Sequence, residues 1–206
     1  MIKKLALSFL FTVFYFGFAF SDGIRPYAGF KGAVSVVQSG FDLGEYRWVP
    51  DPFGSGYNRI RYDESTDFVF SGATALGVKF KNMRFEAEYT YRAPVGQQYD
   101  YFPDVRQEFS TLLLNFLYDF AVSRKFYVYA GGGLGGTYVK NDVKYKGVEK
   151  KTCFSLAFDL GVSFEVARRL NLDTGLKLTY LGNMSLENTD YFMTAADLYL
   201  GLRYTI

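Results

Sequence analysis

"YVYAGGGLGG", residues 127–136, is the stretch whose reading decides the fold. Gly131, Gly133 and Gly136 fall at the spacing G-x-G-x-x-G behind a β-prone run, which spells a dinucleotide-binding turn. Such a turn needs a helix after it, because the pyrophosphate sits on the backbone N–H groups of a helix N-terminus. Here "TYVKNDVKYKG" (137–147) follows, β-prone and without helical period. Alternation runs straight through the glycines instead. Val128, Ala130, Leu134 and Tyr138 share one face, and Gly131, Gly133 and Gly135 share the other. Inward glycines leave room for long Arg and Glu side chains crossing from other strands, and they let a strand curve as a barrel closes.

The same period of two recurs along the chain. In 198–206, Leu198, Leu200, Leu202, Tyr204 and Ile206 oppose Tyr199, Gly201, Arg203 and Thr205. In 83–92, Met83, Phe85, Ala87, Tyr89 and Tyr91 oppose Arg84, Glu86, Glu88, Thr90 and Arg92. Strands with one apolar and one polar face have this pattern. Eight such runs are expected: 25–38, 67–80, 83–93, 107–120, 125–140, 152–166, 170–181 and 191–206. They exceed the five or six residues usual in soluble sheets and suit tilted membrane strands. Long connections are expected at 39–66, 94–106, 141–151 and 182–190, alternating with tight turns at 81–82, 121–124 and 167–169. Long loops at one end and short turns at the other predict an all-β, up-and-down antiparallel transmembrane barrel of eight strands, its turns periplasmic and its loops extracellular. Pro26 opens the first strand, and Pro50, Pro52, Pro94 and Pro103 fall in the expected loops, away from ladder interiors.

A secreted, lipocalin-like soluble barrel would turn its apolar face inward. Eight strands enclose an interior that side chains only just fill, and the many Leu, Phe and Val residues would overfill it. The apolar face is therefore assigned to lipid. Its aromatics gather in two girdles: Phe80, Phe120, Phe126, Phe164 and Tyr204 toward the turns, Phe68, Tyr89, Tyr91, Tyr138, Tyr180 and Phe192 toward the loops. The lumen then receives Lys31, Lys79, Arg84, Arg92, Lys177 and Arg203 together with Glu86, Glu88, Asp119, Asp159, Glu165, Asp173 and Asp197. Buried charges are tolerated when paired, and neighbouring strands supply partners of both signs.

Lys3 and Lys4, the apolar run 5–20 and the triplet Ala19-Phe20-Ser21 read as a secretory signal peptide over 1–21, leaving a single barrel domain over 22–206. Of 23 basic residues, removing Lys3 and Lys4 leaves 23 − 2 = 21, against 21 acidic ones. A near-neutral chain without a basic run is not a nucleic-acid binder. Cys153 is the single cysteine, so no intrachain disulfide is expected.

The segments "LLNFLYDF" (113–120), "FYVYAGGGLGG" (126–136) and "LYLGLRYTI" (198–206) resemble the small outer-membrane barrel superfamily that includes the OmpA membrane domain, OmpX and the neisserial opacity proteins. The resemblance spans the expected mature chain. It implies a bacterial outer-membrane location, lipid as the main surrounding partner, a monomer, and delivery to the barrel-assembly machinery through the terminal strand. The family's last residue is usually Phe; Ile206 stands here, which bears on assembly recognition and not on the fold.

The chain contains no His. The nucleophile–base pairs of known outer-membrane hydrolases depend on it, so no enzyme, metal site or cofactor is expected. Glu86 and Glu88 between Arg84 and Arg92 form a conceivable carboxylate pair, but a lumen ion-pair network is the simpler reading. "DESTD" (63–67) matches no calcium loop. The first long connection carries Tyr46, Trp48, Phe53, Tyr57 and Tyr62. Exposed aromatics beside Arg suit a binding surface for a host or cell-surface ligand. The expected function is a structural and adhesive surface barrel; the competing reading is a small channel for ions or apolar solutes.

Overall fold

The computed structural model describes residues 23–41, 65–99, 102–143, 147–186 and 189–206. Eight strands run β1 Ile24–Phe41, β2 Ser65–Phe80, β3 Met83–Tyr99, β4 Phe102–Ala121, β5 Phe126–Val143, β6 Gly147–Ala167, β7 Leu170–Leu186 and β8 Thr189–Thr205. Each pairs antiparallel with the next, and β8 pairs with β1, closing the barrel. The expected signal peptide (1–21) and the interaction candidates Tyr46, Trp48, Phe53, Tyr57 and Tyr62 lie outside the described residues.

The register fixes the shape. Cross-strand partners lead from Phe80 through Met83, Tyr118, Ala130, Leu160, Leu176, Leu198 and Val34 back to β2 at Phe70. The return is displaced by 80 − 70 = 10 residues. With about 3.3 Å per residue and about 4.8 Å between strands, this stagger tilts the strands by roughly 40°.

Alternation of burial follows the alternation of sequence. On β8, Leu198, Leu200, Leu202 and Tyr204 are exposed while Asp197, Tyr199, Gly201 and Arg203 are buried. Leu114, Leu134, Leu156 and Phe158 are likewise exposed, so the outside is a continuous apolar belt. Phe80, Phe120, Phe164 and Tyr204 mark its turn end and Phe68, Phe70, Tyr91 and Tyr138 its other end.

Three of the expected long connections are not long. Residues 94–99 and 102–106 extend β3 and β4, 141–143 and 147–151 extend β5 and β6, and 182–186 and 189–190 extend β7 and β8. Their polar composition ends the alternation signal, but strands above a membrane have no lipid face to keep apolar. Pro94 and Pro103 accordingly lie within strands. Pro94 sits where the β3–β4 register shifts between Arg92 and Val95, a bulge that needs no donor from it.

Backbone pairing also lapses at two places level with the outer end of the belt. The β2–β3 ladder stops at Ser71↔Arg92 and the β6–β7 ladder at Leu156↔Tyr180, although all four strands continue. Beyond these two seams backbone pairing continues within two four-stranded sheets, β7-β8-β1-β2 and β3-β4-β5-β6, while Ser155 and Cys153 still reach across the second seam to the Leu181 and Asn183 carbonyls. At the second seam Gly182 holds a φ of 115°, and a Cβ there would collide with Cys153. The bulge turns Leu181 fully inward.

Candidate functional site

The lumen is the one place where the described residues concentrate buried polar chemistry. Twelve of its charges, Lys31, Lys79, Arg84, Arg92, Lys177 and Arg203 with Glu86, Glu88, Asp119, Asp159, Asp173 and Asp197, meet in ion pairs. The turn end holds one cluster: Asp119 lies 2.5 Å from Lys79 and 2.8 Å from Arg84, and Asp173 lies 2.8 Å from Arg203 and 3.7 Å from Arg84. Midway up, Lys31 is 2.6 Å from Glu88 and 3.4 Å from Glu86, while Lys177 pairs with Glu88 and lies 3.2 Å from Asp159. Highest is the two-point pair Arg92–Asp197, at 2.6 and 3.3 Å. Each sign contributes six charges, so the network is neutral, the condition under which a desolvated lattice is tolerable. Glu165 is the exception. It is half-buried at the turn end and forms no ion pair among the described residues; Arg203, level with it across Asn171, pairs with Asp173 instead.

Three tyrosines, not singled out by sequence reasoning, tie the charges together. Tyr27 donates to Glu86 at 2.9 Å, Tyr199 donates to Asp159 at 2.6 Å, and Tyr129 and Tyr199 share a hydroxyl–hydroxyl contact. Arg84 stacks 4.4 Å above the Tyr129 ring and Lys31 5.0 Å above Tyr199. Each ring lies across a glycine that is its direct cross-strand partner: Tyr27↔Gly77, Tyr129↔Gly161 and Tyr199↔Gly175. A Cβ at Gly77 would stand 2.6 Å from the Tyr27 ring and one at Gly175 2.8 Å from the Tyr199 hydroxyl. The rings cover backbone the glycines leave bare.

The glycines of 127–136 follow the same rule with different occupants. Their inward faces were expected to admit Arg and Glu. Instead Gly131, Gly133 and Gly135 pair with Leu117, Asn115 and Leu113 of β4, whose side chains are buried inside the wall. These three residues share the parity of Asp119, so the signal is present in "LLNFLYDF"; the leucines disguise it as lipid face.

Above Arg92 the lining changes from charge to hydroxyl to hydrocarbon. Arg92 Nη1 donates to Thr111 at 3.2 Å, Thr111 and Thr137 are 3.0 Å apart, Thr137 and Ser155 are 2.7 Å apart, and Ser155 donates to the Leu181 carbonyl at 3.3 Å. Then Val37, Val95, Phe109, Val139, Cys153, Leu181, Met193 and Ala195, with Val69 beside them, form an apolar layer to which all eight strands contribute. Charges and inward glycines were expected in the lumen, and this apolar layer is an addition to them. It lies level with the outer girdle, because Val69, Val139, Cys153 and Leu181 are chain neighbours of Phe68, Tyr138, Phe154 and Tyr180. It is also where the two upper sheets face each other, so hydrocarbon between them acts as the core of a sandwich.

Between the two mid-lumen layers, Lys31, Ser71, Glu88, Thr90, Lys177, Asp197 and Tyr199 surround a cavity of about 20 Å³, room for about one water molecule. Among the described residues no His, Cys, Asp or Glu group has the geometry of a metal site. Glu86 and Glu88 are both engaged, Glu86 by Tyr27, Lys31 and Asn115 and Glu88 by Lys31, Lys177 and Thr90.

Residues 53–205 match the family described as outer membrane protein beta-barrel domain. Among solved structures, neisserial surface protein A is 19% identical, with 90% of this chain and 100% of that one covered and a TM-score of 0.63. Ail, the attachment invasion locus protein of Yersinia pestis, is 11% identical, with 89% and 100% covered and a TM-score of 0.49. Outer membrane protein H of Pseudomonas aeruginosa is 14% identical, with 88% and 99% covered and a TM-score of 0.48. At these identities the likeness concerns the fold. No curated protein sequence matches the chain.

Proposed function

The chain belongs to the outer membrane protein β-barrel domain family, and from that premise we propose that it is a non-enzymatic surface barrel whose filled lumen is structural and whose projecting end is an interaction unit. The protein resides in the bacterial outer membrane, which it crosses with eight strands. The observation that carries the reading is the filling of the lumen, by a neutral ion-pair lattice below and an apolar layer above. A channel needs a continuous wet path, and a desolvated lattice topped by packed hydrocarbon disfavours one. A general acid or base needs a carboxylate free to exchange its proton with substrate, and Glu86 and Glu88 are each held by several donors.

The interaction role is supported by the outer end of the barrel, where the strands run on past the girdle. Two sheets packed through their own apolar layer make a stiff mount for whatever the hairpins carry, in particular the connection between β1 and β2 with Tyr46, Trp48, Phe53, Tyr57 and Tyr62. Deleting about residues 44–62 should leave heat-modifiable folding intact and abolish adhesion of expressing cells to a ligand-bearing surface. Unchanged adhesion refutes the role assigned to that segment. In planar bilayers the purified protein should give no steady conductance; a stable, sizeable conductance would favour the channel.

A further inference from the structure

The turn end of the barrel is cationic in a way that the lumen does not use. Arg25, Lys81, Arg124, Lys125, Arg168 and Arg169 are all exposed there. None takes part in an ion pair among the described residues, and no described Asp or Glu side chain is exposed at this end. Glu165, the described carboxylate nearest the rim, is half-buried on the inner side. Turn chemistry does not require this. A two-residue connection such as Lys81-Asn82 asks only for backbone freedom, which Lys81 supplies with a φ of 53° where Gly or Asn would be easier. The remaining turns are pinned through backbone groups, by Glu165 N–H to the Lys125 carbonyl at 2.8 Å and Thr205 N–H to the Arg169 carbonyl at 2.8 Å, leaving the side chains free.

The ring is continuous with the lipid-facing surface. Exposed Phe80, Phe120, Phe164 and Tyr204 stand next to it on the strands, with Val122 and Val166 exposed beside the turns themselves. Lys81 extends over the Phe80 ring at 5.4 Å, so its ammonium lies against the girdle. Cations immediately beyond an aromatic girdle stand at headgroup depth, where each attracts an anionic lipid by about 1 kcal/mol, or about fivefold in local partition.

We propose that the turn end is a docking ring for anionic phospholipid headgroups, phosphatidylglycerol in chemistry, of the periplasmic leaflet. The assignment to that leaflet rests on the turns being periplasmic; the headgroup chemistry does not. Several cations on one rim give a selectivity that salt weakens, because exposed charges are screened over about 8 Å at physiological ionic strength. The ring opposes slippage of the barrel toward the outer leaflet, since moving it into hydrocarbon would desolvate unpaired charges.

The test reconstitutes the full-length protein in mixed phosphatidylcholine–phosphatidylglycerol bilayers and compares spin-labelled forms of the two lipids in the motionally restricted shell. Phosphatidylglycerol should be favoured by about fivefold or more at low salt, with the preference falling in high salt. The variant Lys81→Gln/Arg124→Gln/Lys125→Gln/Arg168→Gln/Arg169→Gln should keep heat-modifiable migration and lose the preference. Retained selectivity in that folded variant, or loss of selectivity on Lys140→Gln/Lys150→Gln at the opposite end instead, overturns the proposal. Should the variant fail to fold, the native protein decides the matter: equal partition of the two lipids at low salt, or a preference that high salt leaves unchanged, overturns it as well. Orientation is read separately. Ser123→Cys should be inaccessible to an impermeant thiol reagent on intact cells, and labelling there would overturn the leaflet assignment while leaving the headgroup selectivity to stand or fall by its own measurement.

Discussion

Replacing Arg92 by methionine while Asp197 stays in place leaves a carboxylate inside the wall without its partner. In the native chain Arg92 Nη2 is 2.6 Å from Asp197 Oδ2, and the two side chains are 1% and 5% exposed. At that burial, solvent screening does not rescue the survivor, and breaking the pair costs about 3–5 kcal/mol. Asp197→Leu should cost a similar amount by leaving the guanidinium with Thr111 alone. Making both changes removes both desolvation penalties together, so the double variant should fall within about 2 kcal/mol of native, where additivity would demand about 6–10. The measurement is urea unfolding in phosphatidylcholine vesicles, followed by far-ultraviolet circular dichroism and by heat-modifiable migration. Single variants costing under about 1 kcal/mol each, the value of exposed pairs, would mean that water reaches Arg92 and that the lumen is not sealed. Additive losses would refute the pairing itself.

Gly133 and Gly135 separate two kinds of crowding. A Cβ on Gly133 meets the Asn115 side chain, so Gly133→Ala should fold poorly and be restored by Asn115→Ala, whereas a Cβ on Gly135 meets the Leu112 carbonyl and Gly135→Ala should have no side-chain rescue; heat-modifiable migration scores both, and rescue of neither or of both would contradict the geometry. Tyr199→Phe removes the donor to Asp159 and should cost about 1–3 kcal/mol in the same urea assay, with an unchanged midpoint counting against the network. Cys153 is buried in the apolar layer, so the folded protein should resist an aqueous thiol reagent that modifies the unfolded chain at once. Rapid modification of the folded form would show that the layer does not seal.

The belt and the closure of the barrel are legible in the sequence because lipid and lumen impose opposite demands on neighbouring residues. Phe85 and Glu86, or Leu198 and Asp197, can be assigned by parity alone. The upper halves of β3 to β8 are not legible. Above the membrane neither face is forced apolar, and Gln97, Gln98 or Asn141 say nothing about strand. Parity also places Tyr27, Tyr129 and Tyr199 in the lumen, against the general tendency of aromatics on such strands to face lipid. The apolar layer is hidden for a related reason: Val37, Val139 and Met193 come from different strands at one height, and only the register brings them together. Glu165 departs from expectation because parity gives a side chain's direction but not its partner: Arg203, level with it, is taken by Asp173.

The two seams bear on how such a chain can change over generations. Below them the stagger of ten must be met all the way around, so one residue added to a single strand would slip every partner and turn lipid-facing side chains into the lumen. Above them no circuit has to close. A hairpin there can gain or lose residues of either parity and disturb only its own sheet. The part of the molecule that faces the surroundings is thereby free to vary in length, while the part that faces lipid is held to a fixed count.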